Sequence, residues 1–275
     1  MTLTMLAMIA FAGNSLLCRV ALKETDIDAA SFTTIRLISG ALMLWLIARK
    51  NRVTRTGTGN WLSAFALFIY AAGFSFAYIS LPAATGALLL FGAVQATMIG
   101  FGFWTGEHLR SLQVVGLGLA LAGLVGLLLP GLSAPPLPSA LLMLGAGFAW
   151  GIYSLQGKGG GDPTQVTAGN FLRAVPITAA LSAVMLDSAS LDPTGVWYAV
   201  SSGALASGIG YAIWYTALPS LNATNAATVQ LSVPIIAALG GIVFLGEPLT
   251  LRLVLASAAI LGGIALVILK KQPRG

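Results

Sequence analysis

The sequence predicts an all-α membrane protein of ten transmembrane helices, built as two inverted five-helix repeats with both the N- and C-termini cytoplasmic. Three observations predict it. Hydrophobic residues make up 57% of the 275 positions and charged residues only 8%, against about 25% charged in a typical soluble domain. The mean hydropathy is +0.90, so no water-facing surface can be drawn all round. Second, the apolar stretches come in lengths near the roughly 20 residues that a helical span needs. Third, landmarks recur at a fixed offset. Tyr78, Leu81 and Pro82 return as Tyr215, Leu218 and Pro219, each 137 residues on, and Arg36 returns as Arg173 at the same 137. Gly106-Glu107-x-Leu109 returns as Gly246-Glu247-x-Leu249 at 140. A period of half the chain is too long for a solenoid unit and reads as internal duplication within a membrane.

Taken in order, the spans fall at roughly 3–21, 30–48, 61–80, 84–104, 111–129, 139–156, 166–186, 196–217, 221–245 and 251–269. All are expected to be helices, because lipid offers no partner for an open backbone group. Met1–Phe11 has no basic leader and no clear cleavage site, so it reads as the start of the first span. The connectors carry turn chemistry: Thr25-Asp26, Thr56-Gly57, Pro135-Pro136, Gly159-Gly160-Gly161 and Asp192-Pro193. The joint between copies is Gly131–Pro138, which divides the chain into 1–132 and 133–275, together one transmembrane domain. Five spans per copy is an odd number, so the second copy is expected upside down relative to the first. With the N-terminus inside, nine Lys and Arg residues fall in inner loops and three (Arg19, Lys23, Arg252) in outer ones, which satisfies the positive-inside rule. The net charge of +6 is thereby a topology signal, not a mark of nucleic-acid binding.

Enzyme chemistry finds no foothold. Gly151-x5-Gly157-Lys158-Gly159 has one residue too many for a phosphate loop and no Ser or Thr after the lysine. One histidine (His108) and one cysteine (Cys18) cannot assemble a catalytic triad or a metal cage. No cofactor and no metal site are expected. Asn222-Ala223-Thr224 matches a glycosylation acceptor by pattern, on the wrong side of the expected topology.

Buried polarity says more. Arg36 and Arg173 lie inside the second and seventh spans, where a charge costs at least about 2.5–3.5 kcal/mol. Each reads either as a carboxylate anchor or gate, or as a structural arginine on helix-end carbonyls. Their repeat symmetry favours the structural use, since a substrate carboxylate needs one anchor. Glu107 and Glu247 are gate or structural candidates of the same kind. Neutral polar residues are better candidates for a pathway: Asn14, Gln95, Asn170 and Gln230, the last four residues before Pro234. Each of them alternatively satisfies a neighbouring helix.

Aromatic faces complete the set. Tyr211, Trp214 and Tyr215 stand at i, i+3 and i+4 on one helix face; Phe74 and Tyr78 do so in the third span, and Trp150 and Tyr153 in the sixth. Trp45, Trp61, Trp104 and Trp197 fit the interfacial belt, and Tyr78 and Tyr215 fit it as well as they fit a cavity. Trp150 and Trp214 lie deeper and read as a cavity wall, able to take a flat side chain and to attract an ammonium. The fifth and tenth spans carry small-residue stripes instead: Gly118, Ala122 and Gly126, then Ala258-x3-Gly262 and Ala259-x3-Gly263. They read as scaffold. Whether they pack within one chain or form a homodimer is left open.

The landmarks Tyr215-Thr216-Ala217-Leu218, Pro234, Leu245-Gly246-Glu247-Pro248-Leu249-Thr250 and Gly262-Gly263, with Arg36, Leu81-Pro82 and Gly106-Glu107 in the first copy, resemble the EamA-type ten-helix members of the drug/metabolite transporter superfamily. The run Leu88-Leu89-Leu90-Phe91-Gly92-Ala93-Val94-Gln95 is most similar to the YddG-type exporters, and that resemblance implies export of aromatic amino acids. It also implies a multi-pass protein of the bacterial inner membrane, with amino acids and lipid as its partners. The first copy departs from the second in having Val94 opposite Pro234, so the fourth and ninth helices are expected to bend differently. Small multidrug members of the superfamily carry an acid in their first helix; here that span offers only Asn14. The carboxylates all lie in loops or at helix ends, so an uncoupled facilitator or exchanger is expected, working by alternating access. Efflux of drugs or organic cations is the second reading, and a non-transporting scaffold or channel the third.

Overall fold

In the computed structural model, residues 2–50, 59–105, 111–131, 134–156, 162–217 and 229–269 are described, and among them the regular structure is entirely helical. The order is α1 (Thr2–Glu24), α2 (Ala29–Lys50), α3 (Trp61–Tyr78), α4 (Ala83–Trp104), α5 (Ser111–Leu128), α6 (Leu137–Gln156), α7 (Pro163–Val184), α8 (Pro193–Ser201), a π-helical segment (Ser202–Ile209), α9 (Gly210–Ala217), α10 (Ser232–Leu245) and α11 (Leu251–Leu269). A single 3₁₀ turn, Leu186–Ser188, links α7 to α8.

Seven of these helices are long and apolar enough to cross a membrane: α1 to α6 and α11. The outer surface is largely apolar, as lipid demands, and several polar side chains are turned into the otherwise apolar interior. Leu42, Leu46, Phe65, Val125, Leu239 and Leu255 are exposed, while Asn14, Arg36, Gln95, Asn170 and Ser202 are buried. Soluble monomers rarely expose contiguous apolar surface of more than a few hundred Å².

Helix ends follow from the punctuating residues. Asn60 caps α3 by accepting from Ser63 N–H, Asp162 caps α7 through Gln165 N–H, and Asp192 caps α8 through Gly195 N–H. Pro163 and Pro193 occupy the first helical turn, where a missing N–H costs nothing. Pro234 is likewise in the first turn of α10, so it opens that helix instead of kinking its middle. Gly246 ends α10 in the left-handed conformation, φ 60°.

Asp28 caps α2. Its Oδ1 accepts from the N–H groups of Ala30 and Ser31, each at 2.9 Å, and its Oδ2 accepts from Ser190 N–H at 3.0 Å, tying the α2 start to the α7–α8 connection. Partial burial pushes its carboxyl pKa up, but the hydrogen bonds from Ser31, Ser190 and Ala30 outweigh that and hold it below the usual value. A lowered folded-state pKa contributes stability that is present above the unfolded value, about 3.9, and is lost as pH falls through the folded one. Melts of the detergent-solubilised protein are therefore expected to lose stability below about pH 4, with Asp28→Asn flattening that part of the profile. Parallel profiles for the two proteins would remove Asp28 from the account.

The main packing pairs are α5 with α11, α3 with α6, α2 with α7, α4 with α6 and α10, and α1 with α8, the π segment, α9 and α10. The α2–α7 seam is polar at one point, where the Thr34 hydroxyl meets those of Thr178 (2.8 Å) and Ser182 (2.7 Å). The α5–α11 seam is made of small residues. A Cβ on Gly116 would meet Gly263 O at 2.6 Å, and one on Gly123 would meet Ala259 Cβ at 2.7 Å. Gln113 adds a hydrogen bond to Val267 O at 2.9 Å.

That seam corrects one expectation. The stripe Gly118–Ala122–Gly126 faces away, with nothing within 4 Å of a Cβ on Gly118 or Gly126. The face used is Gly116–Ala120–Gly123, and it is used within the chain. The eighth span also differs from expectation, because its middle is π-helical. Of the ninth span, residues 221–228 lie outside the described residues, and the helix described there is Ser232–Leu245.

Candidate functional site

Two features stand out in the interior: a cavity walled by aromatic rings and an ion pair at one end of the bundle.

The cavity is walled by Phe11, Asn14 and Ser15 of α1, Tyr70 and Phe74 of α3, Leu90 and Phe91 of α4, Trp150 of α6, Ala206 and Ser207 of the π segment, and Tyr211 of α9. Its free space is about 20 Å³, room for about one water. Trp150 is the centre of the ring stack. It lies parallel to Tyr153 (5.2 Å between centroids) and Tyr211 (5.1 Å), and tilted against Tyr70 (4.8 Å). Phe11 closes the side with edge contacts to Tyr211 and Trp214.

Polar groups are threaded between the rings. Asn14 Nδ2 donates to the Tyr70 hydroxyl at 3.2 Å, and its Oδ1 accepts from the Ser202 hydroxyl at 2.6 Å. The Ser207 hydroxyl, on the wall, has no hydrogen-bond partner, and neither has Gln95 Nε2, one turn beyond Phe91 on α4. Among the described residues no acidic side chain reaches the lining.

Arg36 stands behind this wall. It is 1% exposed. Its Nη2 donates to the Tyr70 hydroxyl at 3.0 Å, and its guanidinium lies 5.2 Å from the Tyr70 ring centroid and 4.8 Å from that of Phe74. Nε and Nη1 have no partner. Among the described residues the ion pairs are Arg19–Glu247 and Lys23–Glu24, so Arg36 has none. An arginine at mid-helix costs at least about 2.5–3.5 kcal/mol to insert, and each ring face returns about 0.5–2 kcal/mol. Every buried donor left open adds about 1–3 kcal/mol of cost. Arg36 is thus held short of satisfaction, beside a cavity.

Its repeat mate behaves differently. Arg173 is half-buried and donates from Nη1 to Gly169 O, one turn back, at 3.0 Å. The symmetry of the two positions in sequence does not extend to their surroundings.

The ion pair is formed by Arg19 and Glu247, Nε to Oε1 at 3.3 Å, both nearly buried. Arg19 Nη1 also donates to Tyr78 O and Ile79 O, each at 2.9 Å, at the C-terminal end of α3. The two Glu247 oxygens accept from Ala83 N–H, at 3.0 and 2.8 Å, at the N-terminus of α4. Each charge sits at the helix end whose dipole favours it. Local geometry puts Glu247 there: the left-handed turn at Gly246 folds the chain back, and Glu247 N–H donates to Gly241 O at 3.0 Å. A larger cleft of about 360 Å³ opens beside the pair, with Pro82, Pro135, Pro136 and Pro248 in its walls. The deep polar groups without partners all lie away from it, which makes the smaller, central cavity the candidate site.

The remaining expected residues are accounted for as follows. Tyr78 is fully buried, donates to Ala83 O at 3.3 Å and packs on Gly86, so it secures the α3–α4 turn and does not line the cavity. Tyr153 supports Trp150 from behind, with its hydroxyl accepting from Asn170 Nδ2 at 3.4 Å. Asn170 also accepts from Asn60 N–H at 2.9 Å, a structural stitch. Trp214 is buried beside the cavity, Tyr215 is half-buried against the core, and Gln230 is half-buried just before α10. Glu107 and His108 lie outside the described residues. Tyr70, Phe11, Ser202 and Arg19 were not anticipated. Tyr70 had a signal, since Tyr70, Phe74 and Tyr78 are spaced by four.

Comparison with known proteins bears on what this interior is for. A profile described as the EamA-like transporter family matches residues 137–269. An uncharacterized protein of Pseudomonas aeruginosa is 58% identical over 273 residues, 99% of this chain and 95% of that one. The chain belongs to the EamA-like transporter family. EamA family members are transporters and not enzymes, so this is a multi-pass membrane transporter. Another relative is the threonine/homoserine exporter RhtA of Escherichia coli strain K12, 36% identical over 160 residues, 55% of this chain and 53% of the exporter. An uncharacterized transporter of Archaeoglobus fulgidus is 26% identical over 257 residues, 88% of each chain. A solved crystal structure shares the fold, with a TM-score of 0.68 over 98% of this chain and 98% of that chain at 20% identity.

Proposed function

We propose that this EamA-family transporter exports amino acids with neutral side chains, aromatic ones among them, across a bacterial inner membrane. The observation that carries the reading is the central cavity, whose walls combine aromatic faces with neutral polar groups and come from both halves of the chain. Ring faces accept a flat apolar side chain and also attract an ammonium. The amide of Asn14 and the hydroxyl of Ser207 supply polar contacts without charge. RhtA, a threonine/homoserine exporter, supports the amino-acid class.

The architecture we propose is ten spans in two copies, the second inverted, with both termini cytoplasmic. What supports it is how packing partners exchange between copies. α2 packs on α7 and α5 on α11, each on its own repeat mate, while α3 on α6 is matched by α8, the π segment and α9 on α1. In this topology the Arg19–Glu247 pair is a latch on the outer side, and a free volume of about 20 Å³ corresponds to a closed site that opens as the copies rock. The absence of an acid from the lining among the described residues favours a facilitator or exchanger.

The test is counterflow in proteoliposomes against amino acids, organic cations and nucleotide sugars, with and without a pH gradient. Neutral amino acids are expected to exchange without a gradient. Exchange of organic cations alone would move the protein to the drug-efflux reading. Trp150→Ala is expected to weaken half-saturation roughly tenfold, about 1.4 kcal/mol, at unchanged membrane abundance. Wild-type affinity in that variant would remove the aromatic wall from the site.

A further inference from the structure

We infer that Arg36 is the carboxylate-binding residue of this transporter, and that its substrates must carry a free carboxylate. The inference rests on the reading of the central cavity as the transport site and adds the chemical group that this site selects.

Three observations converge. Arg36 is a buried, permanently charged cation with Nε and Nη1 unpartnered and no ion pair among the described residues. It lies against the rings of Tyr70 and Phe74, two walls of the cavity. The Tyr70 hydroxyl oxygen takes two donors at once, Arg36 Nη2 at 3.0 Å and Asn14 Nδ2 at 3.2 Å. An acceptor oxygen is therefore already held where the cation and the amide converge. A carboxylate reaching that point adds the charge that the hydroxyl lacks, and charged hydrogen bonds are roughly twice as strong as neutral ones.

Arg173 does not compete for the role, since it is half-buried and bonded to its own helix backbone. The same guanidinium disfavours the rival class. An organic cation entering the cavity would meet a like charge at short range in a low-dielectric interior, with no acidic side chain on the lining to offset it.

Tyr70 must turn aside for a carboxylate to reach Nε and Nη1, which fits a cavity holding about 20 Å³ in the closed state. The substrate's ammonium is then left to the aromatic faces of the wall, among them Tyr211, which stands 5.1 Å from Trp150.

The experiment is counterflow with the full chain in proteoliposomes, using labelled phenylalanine and labelled threonine. Each acid is competed against its amide and its decarboxylated amine. The wild type is expected to prefer the acid by at least tenfold. Arg36→Gln should bring that preference to within about twofold, and Arg36→Lys should keep part of it. If Arg36→Gln does not fold, Arg36→Lys decides, because loss of the guanidinium fork must still reduce the preference. Equal competition by acid and amide in the wild type, or a preference unchanged in Arg36→Lys, overturns the assignment of Arg36 while leaving amino-acid transport intact. Failure of every amino acid to exchange overturns the cavity reading and this inference with it.

Discussion

Glu247→Ala is expected to cost about 3–5 kcal/mol of stability, the range for removing one partner of a buried ion pair. The carboxylate does two things at once: it pairs with Arg19, and its two oxygens accept the N–H of Ala83 at the start of α4. Its removal leaves a nearly buried guanidinium whose remaining partners are the carbonyls of Tyr78 and Ile79. It also uncovers an N-terminal amide that has no intrahelical acceptor. Glu247→Gln keeps an acceptor for that amide and loses only the charge, so it should fall between the wild type and the alanine variant. Arg19→Ala should approach Glu247→Ala, and the double variant should cost much less than the sum, because the two residues share one interaction. Reversible unfolding in mixed micelles gives the four differences. A cost below about 1 kcal/mol for Glu247→Ala would place the pair with exposed ones and remove the latch.

Gly203→Ala is expected to be the most disruptive single-methyl change in the chain. A Cβ there would collide with Ser39 Oγ and with the carbonyl oxygen of Arg36, that is, with the backbone of α2. A backbone carbonyl inside a helix cannot swing away as a side chain can. The cost should therefore reach or exceed the upper end of the roughly 1–3 kcal/mol usual for overpacking. Because the displaced backbone belongs to Arg36, the acid-over-amide preference should fall along with stability. Gly118→Ala is the control. Nothing lies within 4 Å of a Cβ at Gly118, and alanine is the better helix former by up to about 1 kcal/mol. Its stability should be unchanged or higher in the same unfolding assay. Equal behaviour of the two variants would contradict the close approach of the π segment to α2.

How far the sequence could be read depended on the range of the interaction concerned. Helix limits depend on residues near in sequence. The caps at Asn60, Asp162 and Asp192 and the stop at Gly246 are local, and the observed helices start or end beside them. Trp150 and Trp214 read as a wall from aromatic spacing on one helix face; Trp150 and Tyr211, the latter from the same face as Trp214, line the cavity, while Trp214 lies beside it. Arg19 was not legible, because its partner lies 228 residues away and its place near the end of an apolar run looks like any flanking charge. The Arg36–Arg173 pair misled for the opposite reason. A repeat in sequence suggests equal surroundings, yet Arg36 lies against the rings of α3 while Arg173 folds back onto its own helix. The stripe at Gly118, Ala122 and Gly126 misled because spacing reveals that a face is smooth and not which way it points.

The eight residues from Ser202 to Ile209 set the phase of everything after them in that span. The N–H of Gly210 reaches back five residues to Leu205 O, not four, as in a π-helix. α9 therefore emerges rotated from the position that an unbroken α-helix would have given it. Tyr211 and Trp214 turn inward in that rotated frame. Winding the same eight residues as α-helix would carry the phenol and the indole round toward lipid, with hydropathy unaltered. The aim of these two rings is encoded less in α9 than in the winding of the turns before it.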